Sequence, residues 1–198
     1  MMDSFKEYLR TIVSIADTEF ADIILHFKVL ILKKGDCFIE QGDVCRQIGF
    51  IKQGTLKTYY INDKGEEITS CFCTENNFTT SYKSFILQSP SDLTIRAIEE
   101  TELFVIDYEN LQKLYAKSLA WQAIGRAVAE REYIVMEQYA SVLSNETAKE
   151  KYLRMLKEQP NILQKASITD IASYLGVSRR TLSRIRKEIM NLGTNVLS

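Results

Sequence analysis

The sequence predicts an α+β protein in which a β-rich segment, one long helix and a C-terminal helix-turn-helix follow one another along the chain. Three observations support this order. Short β-rich runs broken by turn residues fill residues 29–106, a helical pattern of apolar residues extends from 108 to about 143, and two short capped helices lie within 167–189. We therefore expect a β-roll sensor domain over 1–115, a dimerisation helix over 116–143 and a helix-turn-helix domain over 144–198.

The β-rich segment follows a helical start, in which Phe5, Leu9 and Ile12 recur at helical spacing. Gly, Asp and Asn residues separate the β-rich runs, and these residue types supply the turns and positive φ angles that link short strands. Several strands at this spacing predict a β-sandwich or a jelly-roll barrel. The expected strands cover residues 29–32, 37–40, 48–51, 55–61, 67–73, 93–98 and 103–106.

The long helix carries an apolar residue at every seventh position. Such a repeat keeps one stripe facing a partner, so we expect this helix to pair with its twin in a second subunit. Arg131 and Gln138, at the complementary positions, favour the alternative of a helix that lies on its own barrel. The predicted dimer residues are Trp121, Ile124, Val128, Val135 and Val142. A second row beside them consists of Ala120, Ala127, Ile134 and Ser141.

Between the long helix and the C-terminal motif, the sequence predicts one more helix, over about 147–159. Ser144 or Asn145 can start it, because short polar side chains cap helix N-termini. Pro160 ends it, since proline cannot continue a helix interior, and a short connection leads to residue 167.

The C-terminal motif carries start and stop signals for two helices. Ser167, with Asp170 three residues later, supplies a hydroxyl N-cap and a carboxylate near the positive helix end. Gly176 ends the first helix, since glycine adopts the left-handed conformation without a Cβ penalty. Ser178 caps the second helix. Small Ala172 permits a close crossing, and the helices are held together by apolar Ile171, Leu175, Val177, Leu182 and Ile185.

One surface of the second helix is left free, and it is basic. Arg179, Arg180 and Arg184 lie within about a turn and a half, and their guanidinium groups can bind a guanine edge or a phosphate. A helix with this surface suits the major groove of DNA. The alternative is a solvated hairpin that is merely basic. The predicted DNA-binding residues are Ser178, Arg179, Arg180, Thr181, Ser183, Arg184 and Lys187.

The net charge of −1 is unevenly divided along the chain. Residues 144–198 carry ten Lys and Arg and five Asp and Glu, a charge of +5, while the remainder sums to −6. An acidic body with a basic module fits a protein that contacts a polyanion at one end. The sequence has no run of about 18 apolar residues and no signal-peptide pattern at residues 1–6, so we expect a cytoplasmic protein without a membrane partner.

The reactive residues do not predict an enzyme or a metal site. The chain has one histidine, His26, and four cysteines, Cys37, Cys45, Cys71 and Cys73. They include no paired Cys-x-x-Cys motifs, and one histidine supports neither a multi-His metal site nor a Cys/His protease. If Cys71 and Cys73 lie on a strand, they share one face with Cα atoms roughly 6.6 Å apart, the long limit for a disulfide. We expect buried thiols, a structural histidine, no metal and no cofactor.

The order of these elements resembles that of the CRP/FNR family of bacterial transcription regulators, named for the cyclic-AMP receptor protein. The most specific parts are the Gly-Asp turns at 34–36 and 41–43, the strand at 51–57 and the helix-turn-helix. In that family the β-roll resembles a cyclic-nucleotide-binding domain, the long helix forms the dimer and the second helix of the motif reads DNA. The resemblance implies a homodimer on a palindromic double-stranded DNA site and contact with RNA polymerase. The β-roll is then either a sensor for an unidentified small-molecule effector or a purely structural dimer scaffold.

The cyclic-nucleotide cradle of that family departs from this sequence. The family uses a Gly-Glu pair for the ribose and an Arg-Ser or Arg-Thr pair for the cyclic phosphate, whereas the matching positions here are 80–81 and 91–92. The phosphate cation is absent, and Asp92 would place an anion beside the phosphate. We therefore expect no binding of cyclic AMP or cyclic GMP. The expected effector pocket contains Thr80, Ser81, Tyr82, Ser91 and Asp92.

The DNA-reading positions of the family match better. The family places Arg-Glu-x-x-x-Arg at the start of the reading helix, and the matching residues are Arg179, Arg180 and Arg184. Arg180 favours guanine or phosphate where a glutamate would accept a hydrogen bond from cytosine, so the half-site should differ from the best-known one. Two alternatives remain: a non-DNA β-roll module that binds a small molecule or protein, and an enzyme built on the barrel. The exposed arginines argue against the first, and the single histidine against the second.

Overall fold

The computed structural model describes residues 3–12 and 14–194. The strands are β1 (Lys28–Leu32), β2 (Cys37–Ile39), β3 (Gln47–Gln53), β4 (Thr55–Ile61), β5 (Glu67–Thr74), β6 (Phe78–Thr79), β7 (Thr94–Ala97) and β8 (Thr101–Asp107). The helices are α1 (Asp3–Ile12), α2 (Asp17–Ile24), α3 (Tyr82–Leu87), α4 (Tyr108–Lys117), α5 (Leu119–Asn145), α6 (Ala148–Glu158), α7 (Pro160–Lys165), α8 (Ile168–Tyr174) and α9 (Arg179–Thr194). Of these helices, none is long and apolar enough to cross a membrane.

The β-roll consists of two four-stranded sheets, with strand orders β1-β8-β3-β6 and β2-β7-β4-β5, and the strand pairs within the described residues are antiparallel. The jelly-roll prediction is confirmed, and each of the seven expected strands is present within one to two residues of its predicted ends. The structure adds β6 and α3, which the sequence analysis missed. A two-residue strand and a six-residue helix are too short to produce a readable periodicity.

The tight turn between β3 and β4 requires Gly54. Its φ angle is 104°, a left-handed value that side chains rarely adopt. A Cβ atom at this position would lie 2.7 Å from both the carbonyl oxygen of Glu100 and the Cα of Thr101. The backbone between β7 and β8 therefore approaches the turn so closely that only glycine fits.

The core of the roll extends outward to include the N-terminal helix. Phe5 is fully buried, and its ring centroid lies 4.8 Å from that of Phe50 on β3 and 5.0 Å from that of Phe27. Phe27 in turn contacts Trp121 of α5, with centroids 5.8 Å apart. The roll, α1 and the start of α5 therefore share one hydrophobic core.

The prediction of one unbroken helix after residue 107 was wrong, because Ser118 separates α4 from α5. Ser118 has an extended backbone, with φ −132° and ψ 118°. Its hydroxyl oxygen accepts a hydrogen bond from the Trp121 N–H at 3.3 Å and lies 3.0 Å from Glu19 Oε1. A serine in this conformation caps the next helix, so the chain turns and lays α5 along the roll.

The first part of α5 packs on its own roll. Trp121 and Ile124 are 3% and 1% exposed and belong to the core, and Val128 packs against it. Trp121 and Ile124 are therefore used up in packing on their own chain, whereas Val128 stays partly exposed. The side chains of Val135 and Val142 lie outside the described residues.

The predicted helix α6 is capped by Thr147 rather than by Ser144 or Asn145. Thr147 and Glu150 form a capping box, in which each side chain accepts a hydrogen bond from the other residue's backbone N–H. Pro160 follows the end of α6 as predicted, but it also begins α7, since proline is favourable at a first helical position. The expected short connection to residue 167 is therefore a helical turn and a half.

Candidate nucleic-acid interface

The two helices of the C-terminal motif are terminated by the predicted residues. Ser167 Oγ accepts a hydrogen bond from the Asp170 N–H at 3.1 Å, and Ser178 Oγ accepts one from the Thr181 N–H at 3.1 Å. Gly176 has a φ angle of 69°, the left-handed conformation that ends α8. Local sequence signals therefore set the angle at which α9 leaves α8.

A small core holds α9 in place. Leu182 and Ile185 face inward and are 0% and 5% exposed, and Ala172 is buried where the helices cross. The preceding helices add buried Tyr152, Met155 and Ile162 to this core. The inward face of α9 is fully used in packing, so its other face determines what the helix can bind.

The outward face of α9 carries the predicted basic side chains. Arg179, Arg180, Ser183, Arg184 and Lys187 are all exposed. The Arg184 side chain is 74% exposed and has only a distant acidic neighbour on its own helix, 3.9 Å from its Nε. In the described part of the chain, no carboxylate oxygen lies within 4.0 Å of the other two arginines.

Two predicted DNA-binding residues have a structural role as well. The hydroxyl oxygens of Ser178 and Thr181 lie 2.9 Å apart, and Thr181 is half-buried. Their hydroxyls therefore cap the helix, and Ser178 remains exposed at its start. Of the seven predicted residues, Ser178 precedes α9, Lys187 lies just past its midpoint, and the other five lie in its N-terminal half.

The first helix of the motif docks onto the outer face of the β-roll through a buried lysine. Lys57 of β4 has its Nζ 2.6 Å from Asp170 Oδ1 on α8 and 2.8 Å from Glu67 Oε2 on β5. The Lys57 side chain is only 6% exposed. Burial alone would raise the pKa of Glu67, but hydrogen bonding and the charges of Lys57 and Arg96 hold it below its ordinary value.

A serine of α8 completes this contact at the free edge of β5. Ser173 Oγ accepts a hydrogen bond from the Thr69 N–H at 2.9 Å and donates one to the Glu67 carbonyl oxygen at 3.2 Å. Nearby, the rings of Phe72 and Tyr174 have centroids 5.6 Å apart. Sequence reasoning missed this contact because its partners are about a hundred residues apart and no local pattern marks them. The contact fixes α9 relative to the roll.

The five residues predicted for the effector pocket do not form an open cradle. Ser81 and Ser91 are each 3% exposed, and their hydroxyl oxygens lie 2.8 Å apart. Ser91 Oγ also accepts a hydrogen bond from the Leu93 N–H at 3.0 Å. Thr80 donates to the carbonyl oxygen of Gln47 at 3.1 Å. These hydroxyls are therefore engaged within the protein.

The other two predicted pocket residues lie on the surface. Asp92 forms an ion pair with Lys83 at 2.6 Å, and both side chains are 69% exposed. Tyr82 is also exposed. Asp92 is thus a paired, solvated anion rather than an unpaired one in a dry pocket. An open depression of the roll lies elsewhere, and none of the five predicted residues lines it. Its lining consists of Cys37, Phe38, Ile39, Glu40, Asp43, Val44 and Arg46.

Comparison with known proteins gives matches to the roll and to most of the chain. The family model of the cyclic nucleotide-binding domain matches residues 29–118. The transcriptional activator protein Anr of Pseudomonas protegens is 26% identical over 165 residues, which cover 78% of this chain and 67% of Anr. The structure of FixK2 from Bradyrhizobium japonicum matches with a TM-score of 0.72 at 18% identity. This match covers 84% of the present chain and 86% of the FixK2 chain.

A CRP/FNR-family transcriptional regulator from Eubacterium rectale has a TM-score of 0.69 at 20% identity, covering 90% of this chain and 85% of its own. These structural likenesses show a shared fold. The structure thus joins a cyclic-nucleotide-binding-like β-roll to a helix-turn-helix with an exposed basic surface. The matched relatives are named as transcriptional activators, and one of the similar structures is a regulator of the CRP/FNR family.

Proposed function

We propose that the chain is a dimeric, sequence-specific DNA-binding regulator that reads its site through α9. The observation that carries this proposal is the set of three exposed arginines, Arg179, Arg180 and Arg184, on the outward face of a capped and packed helix. Arginine forks bind guanine edges and phosphates, and a helix of this shape fits the major groove. The roll, α5 and the C-terminal domain then serve as sensor, dimer element and reader.

The charge distribution supports the same role. The C-terminal 55 residues carry +5, whereas the other 143 carry −6. Binding that neutralises phosphates releases counterions, so affinity should fall steeply as salt concentration rises. The acidic roll should in turn be repelled by DNA, which directs the chain to bind through its C-terminal domain alone.

We place the dimer contact on the second apolar row of α5, because the first row covers the roll. Ala120 and Ala127 are half-exposed, and Ile134 is 52% exposed. Small side chains let two helices approach closely, and an exposed isoleucine supplies apolar area to bury. Two reading helices related by a two-fold axis should meet successive major grooves about 34 Å apart and select a palindrome.

The effector of the roll remains a small molecule without an assigned identity, and cyclic nucleotides are disfavoured. Ser81 and Ser91, which match the family's ribose- and phosphate-binding positions in sequence, are hydrogen-bonded to each other, and this supports the absence of cyclic-nucleotide binding. The family resemblance supports RNA polymerase as a proposed partner. The proposed location is the cytoplasm. Activation rather than repression is supported by the relative Anr, which is named as a transcriptional activator.

The experiment that tests the proposal is selection of random duplex DNA by the purified protein at two salt concentrations, read by sequencing. We expect an enriched two-fold symmetric site whose retention falls at the higher salt. Failure to enrich any sequence, with equal retention of all duplexes, would contradict sequence-specific reading and favour the alternative of a roll that serves another partner.

A variant pair then separates base reading from general attraction. Arg184→Ala should weaken binding to the selected site by about 1–3 kcal/mol, roughly fivefold to 150-fold, and should weaken random duplex less. Lys157→Ala is the matched control, because this exposed lysine lies on α6 and removes the same charge from the same domain. Equal losses on both duplexes for Arg184→Ala would show that Arg184 contacts only phosphate.

A further inference from the structure

The C-terminal domain is anchored to the β-roll at two separate points. The first is the buried ion pair of Lys57 with Asp170 on α8, in which Nζ lies 2.6 Å from Oδ1. The second is an ion pair of Lys165, the last residue of α7, with Glu99, which lies between β7 and β8. In this pair Nζ lies 2.8 Å from Oε1. Because a single contact would leave rotation free, two anchors on consecutive helices restrict both the position and the rotation of the domain.

Ser173 fixes the register of α8 along β5. Its hydroxyl accepts a hydrogen bond from the Thr69 N–H at 2.9 Å and donates one to the Glu67 carbonyl oxygen at 3.2 Å. Hydrogen bonds are directional, so they hold α8 at one position along the strand, whereas the hydrophobic effect has no direction and tolerates sliding. Phe72 and Ile98 of the roll pack against the C-terminal core. Apolar contact therefore adds buried area at a position that the polar groups define.

The anchored helix α8 is connected firmly to α9 on one side and, through the roll, to α5 on the other. Leu182 of α9 is fully buried in the core that it shares with α8. In the turn between these helices, the Val177 N–H donates to the Ala172 carbonyl oxygen at 2.9 Å. Trp121 of α5 is buried in the core of the roll. The mechanical path from α5 to α9 therefore runs through the roll as well as through the short connection at 146–147.

We propose that Lys57 is a positioning residue that sets the separation of the two reading helices in the dimer and thereby selects the spacing of the DNA half-sites. This inference rests on the proposed function, in which α5 forms the dimer and α9 reads DNA. Each base pair added between half-sites moves them about 3.4 Å further apart and rotates them by about 35° around the duplex. Reading helices held by buried contacts cannot follow such a change without breaking those contacts or distorting the DNA.

Of the two anchors, the one at Lys57 is the more resistant to displacement. The Lys57 side chain is 6% exposed, and its Nζ also lies 2.8 Å from Glu67 Oε2. A small movement of α8 lengthens the pair of Lys57 with Asp170 before water can reach it, and a poorly solvated charge without its partner is costly. The second anchor is softer, because its side chains are 36% and 29% exposed and water can replace either partner.

The first test compares DNA sites that differ only in spacing. The site selected from random duplex is remade with one base pair added or removed between the half-sites, and the dissociation constant of the full-length protein is measured for each. We expect the wild type to prefer the selected spacing by about tenfold or more, and Lys57→Met to reduce this preference by about threefold or more. Because this readout is a ratio of affinities, a variant that only lowers the folded fraction leaves it unchanged.

Two further variants test whether the ion pair itself is the cause. Asp170→Asn removes the charge of the other partner, so it should also reduce the spacing preference. Lys52→Met is the matched control, because Lys52 pairs with Glu102 within the roll, and this variant should keep the wild-type ratio. An unchanged ratio in Lys57→Met, or an equal reduction in Lys52→Met, would overturn the assignment.

A second measurement follows the anchor without DNA. Hydrogen exchange of the Thr69 amide reports whether α8 stays on β5, because this amide donates to Ser173. We expect exchange about fivefold faster in Lys57→Met than in Lys52→Met. Equal exchange in the two variants would show that Lys57 does not hold α8 and would overturn the inference. Faster exchange together with a wild type that accepts all spacings equally would overturn the spacing step alone, and failure to enrich any DNA sequence would count against the proposed function instead.

Discussion

Nζ of Lys57 lies 2.6 Å from Oδ1 of Asp170, and this ion pair joins the β-roll to the first helix of the helix-turn-helix motif. The two residues are 113 positions apart. Lys57 also contacts Glu67, so one buried cation neutralises an acid from each domain. The buried lysine makes the contact sensitive to substitution, because removing one partner leaves poorly solvated charges behind.

Lys57→Met should destabilise the protein by about 1–3 kcal/mol in urea unfolding. The loss should be below the 3–5 kcal/mol of a fully buried pair, because Glu67 keeps contact with water and with Arg96. Lys52→Met is the control: Lys52 pairs with Glu102 at 2.7 Å on the same roll, but both side chains are more than a quarter exposed. Equal losses in the two variants would contradict a special role for Lys57.

Ser173→Ala should loosen the edge of β5 without disturbing α8 itself. The variant loses both hydrogen bonds to the strand, which together contribute about 1–2 kcal/mol. Hydrogen exchange of the Thr69 amide should become faster, because its acceptor is gone. Ser183→Ala, an exposed substitution on α9, should leave that exchange rate unchanged. A Thr69 amide that stays equally protected in Ser173→Ala would show that another group satisfies it.

Gly54→Ala and Gly65→Ala form a matched pair at positive φ angles of 104° and 77°. Gly65→Ala should cost about 1 kcal/mol, the usual penalty for a side chain in this region, because its surroundings are open. Gly54→Ala should cost roughly 3 kcal/mol or more, since its Cβ also clashes with backbone atoms 2.7 Å away. Thermal unfolding of both variants measures the difference, and similar losses would show that the β7–β8 connection can move aside.

The reactivity of Cys71 should depend on pH around neutrality. A thiol with a pKa of about 7 is half ionised there, so its rate of alkylation by iodoacetamide should rise through pH 7 and level off above it. Cys73→Ala removes the main hydrogen bond that stabilises the thiolate and should shift the profile to higher pH. Peptide mapping by mass spectrometry follows the site, with Cys37→Ser as the control. An unshifted profile in Cys73→Ala would exclude the thiol pair as the cause.

Cyclic AMP should not bind at micromolar concentrations in a calorimetric titration. Ser91→Arg should not by itself restore binding, because Ser91 is 3% exposed and the new side chain has no space beside Ser81. Saturable binding of cyclic AMP by the wild type would contradict this prediction. The titration should be repeated with the chain bound to its selected DNA, so that a DNA-dependent opening of the roll is also detected.

Much of the candidate site could be predicted from sequence because its determinants are local. Ser167, Gly176 and Ser178 act on residues within three or four positions, and the structure gives each of them the expected conformation. The strands of the roll were predicted for the same reason, since turn residues mark their ends. The sequence prediction failed for β6 and α3, because these elements are too short to show a periodic pattern. It also failed at Pro160, because this proline follows the end of one helix and begins the next.

The features that were not predicted depend on which surfaces pack against each other. No local pattern in a single sequence indicates such long-range contacts. The stripe through Trp121 predicts that α5 buries one face, but the period is the same whether that face meets a second helix or its own roll. Likewise, nothing in the alternation of β4 distinguishes Lys57 from a solvated lysine until α8 covers it. Packing between domains, not propensity, decides both cases.

The coverage of β5 by α8 has a consequence for fragments of the chain. β5 is the last strand of its sheet, and Ser173 occupies backbone groups that would otherwise point outward. An open strand edge pairs readily with strands of other molecules and promotes aggregation. A β-roll released by proteolysis or gene truncation would present that edge together with uncovered Phe72. By covering this edge, the C-terminal domain thus protects the preceding β-roll from aggregation.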